Sequence, residues 1–547
     1  MAFRLQPLSD IHFNTDYAGF GMRTAHQSTL YGLLAIAGFL LLLGCINFIN
    51  LTTAQGAQRA KEIGIRKTIG SSRKQLILQF LSETFFITGI ATILSVLITP
   101  LLLKIFADFI PPGMHFELWH QPSLMIFLFL LTVVVSFLSG LYPALILARF
   151  KPISVLKNQS VSASGQSRNS RVRKILTVSQ FVIAQFFIIG TLMVSKQINY
   201  TLNKDLGFRK EAILNFEMPR DTVMSHPQQM MADIMAIPEI QLASVGFEPP
   251  SMEGAAFGNI IYVDGKKEVK ENVQVRWGDT NYIKVYAINL VAGRNVRASD
   301  STEEVLINET YAKELGFQSP DKALNKTLML NRKKSAAIVG VMRDFHEQSL
   351  HGIIGPIVFE YSKRADIFHI LLKPQNEEGT VWPAAIHKIA KAFKSIYPES
   401  DFSYSFFDET IAKFYQTEQQ TSGLLQWASG LAIFISCLGL LGLVIYTTNI
   451  RTKEIGIRKV FGATVTNIIM VLSKDFVRLV LVAFFIASPI AWWATSKWME
   501  NFAYRTSMSW WIFVLSGVLM MLISFGTLSM HIIKAAMANP ANSLRTE

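Results

Sequence analysis

Residues 30–67 read LYGLLAIAGFLLLLGCINFINLTTAQGAQRAKEIGIRK, and this stretch decides the architecture. Its first part, Leu30–Leu51, contains no charged residue, whereas the second part carries Arg59, Lys61, Glu62, Arg66 and Lys67. A helix needs roughly 20 apolar residues to cross about 30 Å of hydrocarbon. Leu30–Leu51 is therefore predicted to span a membrane, and the basic segment after it is predicted to lie at the membrane surface.

Six further stretches have the same length and character. Four are uncharged and two contain a single charge: Ser123–Ala148, Ile175–Ser195, Thr421–Ile450, Met508–Ile533, Leu76–Leu103 with Glu83, and Phe476–Ser496 with Arg478. Half of the 547 residues are hydrophobic and only 17% are charged, against about 25% in a typical soluble domain. The sequence thus predicts an all-α transmembrane bundle of seven helices, and the lipid bilayer is its first partner.

The net charge of +13 invites a nucleic-acid partner, but its location argues otherwise. The bases crowd into Thr53–Gln75, Arg149–Lys174 and Arg451–Lys459, whereas Lys104–Gln121 holds more acids than bases. Lys and Arg accumulate in the cytoplasmic loops of membrane proteins. We therefore expect no nucleic acid. We expect a multi-pass plasma (inner) membrane protein with residues 1–29 and 196–420 extracytoplasmic and the C-terminus cytoplasmic.

The basic segment is duplicated. Lys61–Lys67, KEIGIRK, recurs letter for letter at Lys453–Lys459, an offset of 392 residues. The same offset pairs Gly38 with Gly430, Cys45 with Cys437, Arg59 with Arg451, Gly70 with Gly462, and Glu83 with Asp475. Such self-similarity within matching frames of spans indicates two copies of one membrane module. By symmetry we expect that the chain lacks one N-terminal span and most of one extracytoplasmic domain, of which residues 1–29 are a remnant. A truncated gene model, a split gene and a real deletion would each account for this.

Each copy of the segment is predicted to be a short amphipathic helical piece followed by the next membrane helix. Ile65 and Ile69, four residues apart, share one helix face. Gly70 and Gly462 are suited to end the piece, and Ser72 with Gln75 forms a capping-box pattern. A short basic amphipathic helix can lie on a membrane surface or dock into a cytoplasmic partner. The residues alone leave both interpretations open.

The duplicated KEIGIRK segments, their preceding spans and the closing Lys151-Pro152 and Asn539-Pro540 turns resemble the FtsX/MacB-type permeases of ABC transporters, specifically the tandem antimicrobial-peptide and macrolide export permeases. Val305–Phe317, Ile338–His346 and Phe402–Gln420 resemble the extracytoplasmic domain of that family. The resemblance implies that two segments couple the permease to cytoplasmic ABC ATPase subunits. Their residues are Lys61, Glu62, Ile63, Gly64, Ile65, Arg66, Lys67, Gly70, Lys453, Glu454, Ile455, Gly456, Ile457, Arg458, Lys459 and Gly462.

The long segment between the fourth and fifth spans mixes strand-like runs, such as Ile367–Leu372, with helical ones, such as Val381–Ile396. This alternation indicates an α/β (α+β) domain with its own core, of the MacB periplasmic type by resemblance. The expected layout is a remnant at 1–29, a first FtsX-like module at 30–158, a cytoplasmic linker at 159–174, a membrane helix at 175–195, the extracytoplasmic domain at 196–420, and a second module at 421–547.

Catalytic chemistry is not expected in this chain. The sequence has no Walker A pattern, Asp344 and His346 are expected to be structural, and we expect no cofactor or metal. Glu83 and Asp475 lie inside spans close to bases such as Lys74 and Arg478, and ion pairing at the membrane interface is favoured over a proton relay.

Three functions remain in view from the sequence. The first is an ABC permease that couples ATP hydrolysis on a separate subunit to movement of its extracytoplasmic domain and exports peptides, drugs or lipoproteins. The second is an FtsX-like transmitter to a periplasmic partner without transport, and the third is a repeat-built secondary transporter. The expected partners are ATPase subunits, a second permease chain or the absent N-terminal half, and a periplasmic protein.

The predicted orientation can be tested by cysteine labelling in intact cells. Ser71→Cys and Ser164→Cys should resist a membrane-impermeant thiol reagent, and Asn272→Cys should react, because the basic loops lie in the cytoplasm. Labelling of the first two positions would reverse the orientation.

Overall fold

The computed structural model describes residues 7, 27–110, 116–149, 163–219, 226–251, 256–264, 267–299, 303–330, 334–347, 350, 352–363, 367–450, 457–458 and 461–537. Most of the predicted remnant at 1–29 therefore lies outside the described residues. The chain divides into a membrane unit (residues 1–195, 420–496 and 508–547) and a soluble unit (residues 196–419 and 497–507).

The helices follow one another along the chain. They are α1 Gln27–Thr68, α2 Arg73–Ile105, α3 Pro122–Leu147, α4 Ala163–Asn203, α5 His226–Met235, α6 Tyr282–Val285, α7 Glu309–Glu314, α8 Val381–Ile396, α9 Phe407–Phe414, α10 Gln416–Ile450, α11 Val465–Met499 and α12 Trp510–Met537. Within the described residues, seven of them, α1–α4 and α10–α12, contain a stretch long and apolar enough to cross a membrane. The predicted seven-helix fold class is confirmed.

Two apolar cores hold the membrane unit together. The larger core joins α1, α4, α10, α11 and α12 through buried residues that include Leu43, Phe181, Ala432, Val480 and Met520. The smaller core joins the end of α1 to α2 and α3. Hydroxyl pairs tie α4 to α10: Thr191 Oγ1 lies 2.7 Å from Ser429 Oγ, and Ser195 Oγ lies 3.1 Å from Ser422 Oγ.

The first membrane helix is longer than predicted. The sequence separates a span ending at Leu51 from a short helical piece after it, but α1 runs without interruption to Thr68. Ala and Gln residues between Thr53 and Lys61 are good helix formers, and the turns that follow pack in the smaller core. The basic segment is therefore the C-terminal part of the membrane helix itself.

The soluble unit is built on an eleven-stranded sheet. The strands are β1 Ile213–Glu217, β2 Ile240–Gly246, β3 Ala256–Asp264, β4 Lys267–Gly278, β5 Leu290–Gly293, β6 Glu304–Asn308, β7 Thr327–Leu330, β8 Lys334–Met342, β9 Ile357–Tyr361, β10 Ile367–Leu372 and β11 Ser405–Phe406. Their order is β11-β1-β10-β2-β4-β3-β7-β8-β6-β9, with β5 on β8. The mixture of helices and strands confirms the predicted α/β (α+β) domain.

One end of this sheet is an antiparallel layer covered by helices. Strands β1, β10 and β2 pair antiparallel. The buried side chains Phe216, Phe368 and Ile370 pack with Ile389 and Phe393 of α8. Because side chains alternate along a strand, His369 points to the opposite face, toward Tyr286. That face carries a second core, with Tyr282, Tyr286 and Phe407.

The other end of the sheet closes on itself. Strand β4 pairs with both β3 and β9, and the remaining pairs run β9 to β6, β6 to β8, β8 to β7 and β7 to β3. This closed circuit of six strands surrounds a core that includes Ile260, Val273, Leu328, Ile338 and Val358. Closure removes exposed strand edges, which otherwise promote aggregation.

A buried histidine connects the layers of the soluble unit. His369 Nε2 lies 2.8 Å from the Phe247 carbonyl oxygen, so Nε2 carries the proton, and Nδ1 accepts from Tyr286 Oη at 2.8 Å. His369 is fully buried, and burial lowers its pKa to about 3, although the Phe247 carbonyl opposes the shift. His346 is also buried, and burial, with Lys204 nearby, lowers its pKa to about 4.

These histidines predict acid sensitivity of the soluble unit. In the unfolded chain a histidine has a pKa of about 6.5. Below that pH it binds a proton when the protein unfolds, because the lowered pKa keeps it neutral in the folded state. Stability should therefore be lost as the pH falls below 6.5, by about 2 kcal/mol between pH 7 and pH 5 for His369 alone. Pulse proteolysis in urea should show a shallower pH dependence for His369→Gln, and no change for His387→Gln, an exposed histidine on α8. Equal slopes for both variants and wild type would contradict the assignment.

Candidate functional site

The candidate site is the coupling segment, residues 61–70 in the first module, together with its copy in the second. In the first module the segment forms the last two turns of α1, which ends at Thr68. Gly70 adopts φ +106°, a left-handed conformation that glycine accepts readily. Ser72 then caps α2 by a reciprocal capping box with Gln75. The predicted end of one helix and start of the next are both observed.

The apolar residues of the segment point in two directions. Ile63 is only 1% exposed and packs in the smaller core with Leu76, Phe80, Ala144 and Leu147. Ile65 and Ile69 are 43% and 81% exposed. Ile63 therefore anchors the segment to its own module, and Ile65 with Ile69 forms an outward apolar face.

Polar contacts fix the segment further. Arg59 Nη1 lies 3.0 Å from Glu83 Oε2 of α2. Gln79 Nε2 donates to the other oxygen of Glu83 at 3.1 Å, and Arg66 Nη1 donates to Gln79 Oε1 at 2.8 Å. The predicted interfacial ion pair of Glu83 exists, but its partner is Arg59 rather than Lys74. Both residues recur at the same offset as Arg451 and Asp475, and this joint repetition was the sequence signal for the pair.

Lys67 ties the segment to the third helix. Its Nζ donates to the Ala148 carbonyl oxygen at 2.7 Å, and Ala148 is the C-cap residue of α3. A cation at a helix C-terminus interacts favourably with the helix dipole. Burial lowers the pKa of Lys67, with a smaller effect from Arg73. The segment is therefore held by α2 on one side and by the end of α3 on the other.

The second copy presents the same outward face where it is described. Lys453, Glu454, Ile455, Gly456 and Lys459 lie outside the described residues. Ile457 and Phe461 are 49% and 86% exposed, which matches Ile65 and Ile69 at the 392-residue offset. Gly462 adopts φ +88° and Thr464 Oγ1 accepts from Asn467 N, as at the first copy. The two modules thus expose equivalent apolar pairs.

Asp344 and His346, the residues considered for catalysis, make contacts within the soluble unit. Asp344 accepts from Thr310 N at 2.9 Å and from Thr310 Oγ1 at 2.8 Å, next to the start of α7. The His346 ring packs edge-on to Tyr504, with centroids 4.5 Å apart. The described part of the chain contains no cluster of three His, Cys, Asp or Glu side chains that could hold a metal ion.

Comparison with known proteins gives matches to two protein families. The FtsX-like permease C-terminal family matches residues 34–152 and 427–540, and the MacB-like periplasmic core domain matches residues 175–385. The paired matches to one permease model follow the duplication in the sequence. The chain is a member of the FtsX/MacB-type ABC transporter permeases, with two FtsX-like modules and one MacB-like extracytoplasmic domain.

Individual relatives match over shorter stretches. The uncharacterized ABC transporter permease YknZ of Bacillus subtilis is 39% identical over 79 residues, 14% of this chain and 19% of the relative. The macrolide export ATP-binding/permease protein MacB of Aggregatibacter actinomycetemcomitans is 28% identical over 204 residues, 34% of this chain and 30% of the relative. The crystal structure of the YknZ extracellular domain covers 35% of this chain and 97% of that domain, at 10% identity and a TM-score of 0.24. The matched stretches thus span less than a third of these curated relatives.

The same substitution should reduce stability strongly at Ile63 and only slightly at Ile65. Ile63→Asp places a carboxylate in an apolar core, which should cost about 3 kcal/mol or more. Ile65→Asp changes an exposed position and should alter stability by less than about 0.5 kcal/mol. Heating the detergent-purified chain and measuring the monodisperse fraction tests this, and equal losses for both variants would refute the assigned orientations.

Proposed function

We propose that this chain is the permease subunit of an ABC transporter in which a separate cytoplasmic ATPase drives movement of the extracytoplasmic domain. The coupling segments of the two modules bind the ATPase subunits. The permease family is shown by the matches above, whereas the force-transmitting mechanism and the cargo are parts of this proposal. The observation that carries it is the matched pair of outward apolar faces, Ile65 with Ile69 and Ile457 with Phe461.

Specific contacts hold the first coupling segment in a fixed orientation on its own module, as expected for a segment that transmits force to a bound protein. An amphipathic helix that only rests on a membrane needs no fixed orientation relative to its own module. The first segment is instead held by an apolar anchor, Ile63, by an ion pair, Arg59–Glu83, and by a helix cap, Lys67 on Ala148. Its free apolar face with neighbouring bases fits a groove with an acidic rim. These contacts favour docking to a protein over the membrane-surface interpretation.

The soluble unit is connected to the membrane unit by continuous helices. Helix α4 runs from Ala163 to Asn203, past the start of the soluble unit at Lys196. Residues 497–507, which comprise the end of α11 and most of the loop before α12, are part of the soluble unit. Gln197 donates to the Tyr504 carbonyl at 3.1 Å and accepts from Thr506 N at 2.8 Å. Helix α4 therefore contributes residues to both units.

The cargo belongs to the class of peptides, drugs or lipoproteins that are expelled from the outer leaflet or the extracytoplasmic space. The relatives named for macrolide export support drugs within this class. Ion-driven transport is disfavoured because charges inside spans are few. One of them, Glu83 in the first third of α2, forms an ion pair with Arg59.

A double variant tests the docking role of the two segments. Ile65→Asp with Ile457→Asp places charge where apolar burial is expected and should weaken ATPase binding by at least about 2 kcal/mol, roughly 30-fold. Membrane insertion should be unchanged because the spans are untouched. The measurement is co-purification of the ATPase with the variant and stimulation of its activity.

A matched control is Ile353→Asp, a change of the same kind at a residue of the soluble unit that is 79% exposed. This control should bind and stimulate the ATPase like wild type. A double variant that inserts normally and also behaves like wild type would exclude the coupling role of both segments.

A further inference from the structure

Two amides meet inside the apolar core of the membrane unit. Asn50 Nδ2 of α1 donates to Gln180 Oε1 of α4 at 3.3 Å. Both side chains are buried, and the surrounding core includes Phe181, Leu440 and Val444. Burying polar groups in such a core is unfavourable unless they are paired. This contact is therefore a feature that requires an explanation.

A third helix, α10, packs against the same amides at Gly439. A Cβ atom added to Gly439 of α10 would lie 2.8 Å from Gln180 Nε2 and 3.0 Å from Asn47 Oδ1. One turn further, a Cβ on Gly442 would lie 3.0 Å from Leu51 Cδ1. A methyl group at Gly439 would displace the amide ends of Gln180 and Asn47 from these positions. We call Asn47, Asn50, Gln180, Gly439 and Gly442 the amide joint.

The internal repeat explains where the joint lies. The 392-residue offset maps Asn47 onto Gly439 and Asn50 onto Gly442. Asn47 therefore lies next to its own equivalent in the second module, Gly439. The copies differ at these positions, because the first module supplies amides and the second supplies glycines. The two halves are complementary at the joint and are not interchangeable.

The joint does not satisfy its own polar groups. Among the described residues Asn50 Oδ1 and Gln180 Nε2 have no hydrogen-bond partner. Hydrogen bonds between membrane helices contribute little net stability on average. Buried polar contacts are best attested as devices that fix register between helices. Here the contact fixes which point of α4 meets α1 and α10.

From the joint, α1 continues toward the first coupling segment and α4 continues toward the soluble unit. From Asn50, α1 continues without a break to Lys61, 11 residues and about 16 Å away. From Gln180, α4 continues to Lys196, where the soluble unit begins, 16 residues and about 24 Å away. The joint is thus the polar contact between a helix that ends in a coupling segment and a helix that enters the soluble unit.

We propose that the amide joint, with Asn50 and Gln180 as positioning residues, passes displacement of the first coupling segment from α1 to α4. This inference rests on the proposed function. It adds that force passes between helices at one defined contact. At this contact the first module supplies an amide, Asn50, and the second module supplies the glycines against which α1 and α4 pack.

The test compares two glutamines on the same helix. Gln180→Leu removes the joint amide, and Gln185→Leu removes an equally buried amide whose side-chain atoms have no partner among the described residues. Each variant is made in the full chain with Cys45 and Cys437 changed to alanine. Spin labels on Gln121→Cys and Glu377→Cys report the ATP-dependent distance change between the two units, with the ATPase that co-purifies with the wild-type chain.

We expect Gln180→Leu to bind the ATPase within twofold of wild type but to show an ATP-dependent change at least fivefold smaller. Gln185→Leu should behave like wild type, and the exchange Asn50→Gln with Gln180→Asn should restore at least half of the change. An unaltered response of Gln180→Leu, equal losses for both leucine variants, or loss of ATPase binding by Gln180→Leu would overturn the joint. Absence of ATPase binding or of any distance change in wild type would instead refute the proposed function.

Discussion

A bilayer core offers no water to backbone N–H and C=O groups, so a crossing segment must pair them within a helix. This constraint also affects the parts of α1 and α4 that lie outside the hydrocarbon. Helices α1 and α4 are 42 and 41 residues long in total, so each continues beyond the hydrocarbon. A span of about 30 Å needs roughly 20 residues, so both helices project well past the apolar layer. Stiff projections of this kind are suited to carry movement between the two sides.

The same apolar environment sorts the polar residues by depth. Toward the C-terminal end of α1, Arg59 and Glu83 of α2 form an ion pair in which both side chains remain about 40% exposed. Such an exposed pair contributes modestly to stability, but with Gln79 it fixes the direction of the coupling segment. Elsewhere in the membrane unit, neutral amides and hydroxyls mark contacts between helices: Asn50 with Gln180, and Thr191 with Ser429. Polarity thus identifies the positions where helices must keep register.

The soluble unit follows different rules because water surrounds it. Its covered sheet and closed circuit of strands give it cores of its own. Its polar groups can be buried when each finds a partner, as His369 does between Phe247 and Tyr286. Residues 497–507, which lie between two membrane helices in sequence, also belong to this unit.

The sequence by itself determined the seven spans, the duplication, and the helix start at Ser72, because hydrophobic length, repetition and capping chemistry are local properties. It also predicted α8 at Val381–Ile396 to the residue. Only the tertiary structure decided that Ile63 faces inward and Ile65 outward, since helix periodicity leaves the direction of a face to its neighbours. Closure of β4 onto β9, the choice of Arg59 as partner of Glu83, and the meeting of Asn50 with Gln180 were likewise decided by tertiary packing. These contacts join residues distant in sequence, and their geometry depends on how whole elements pack.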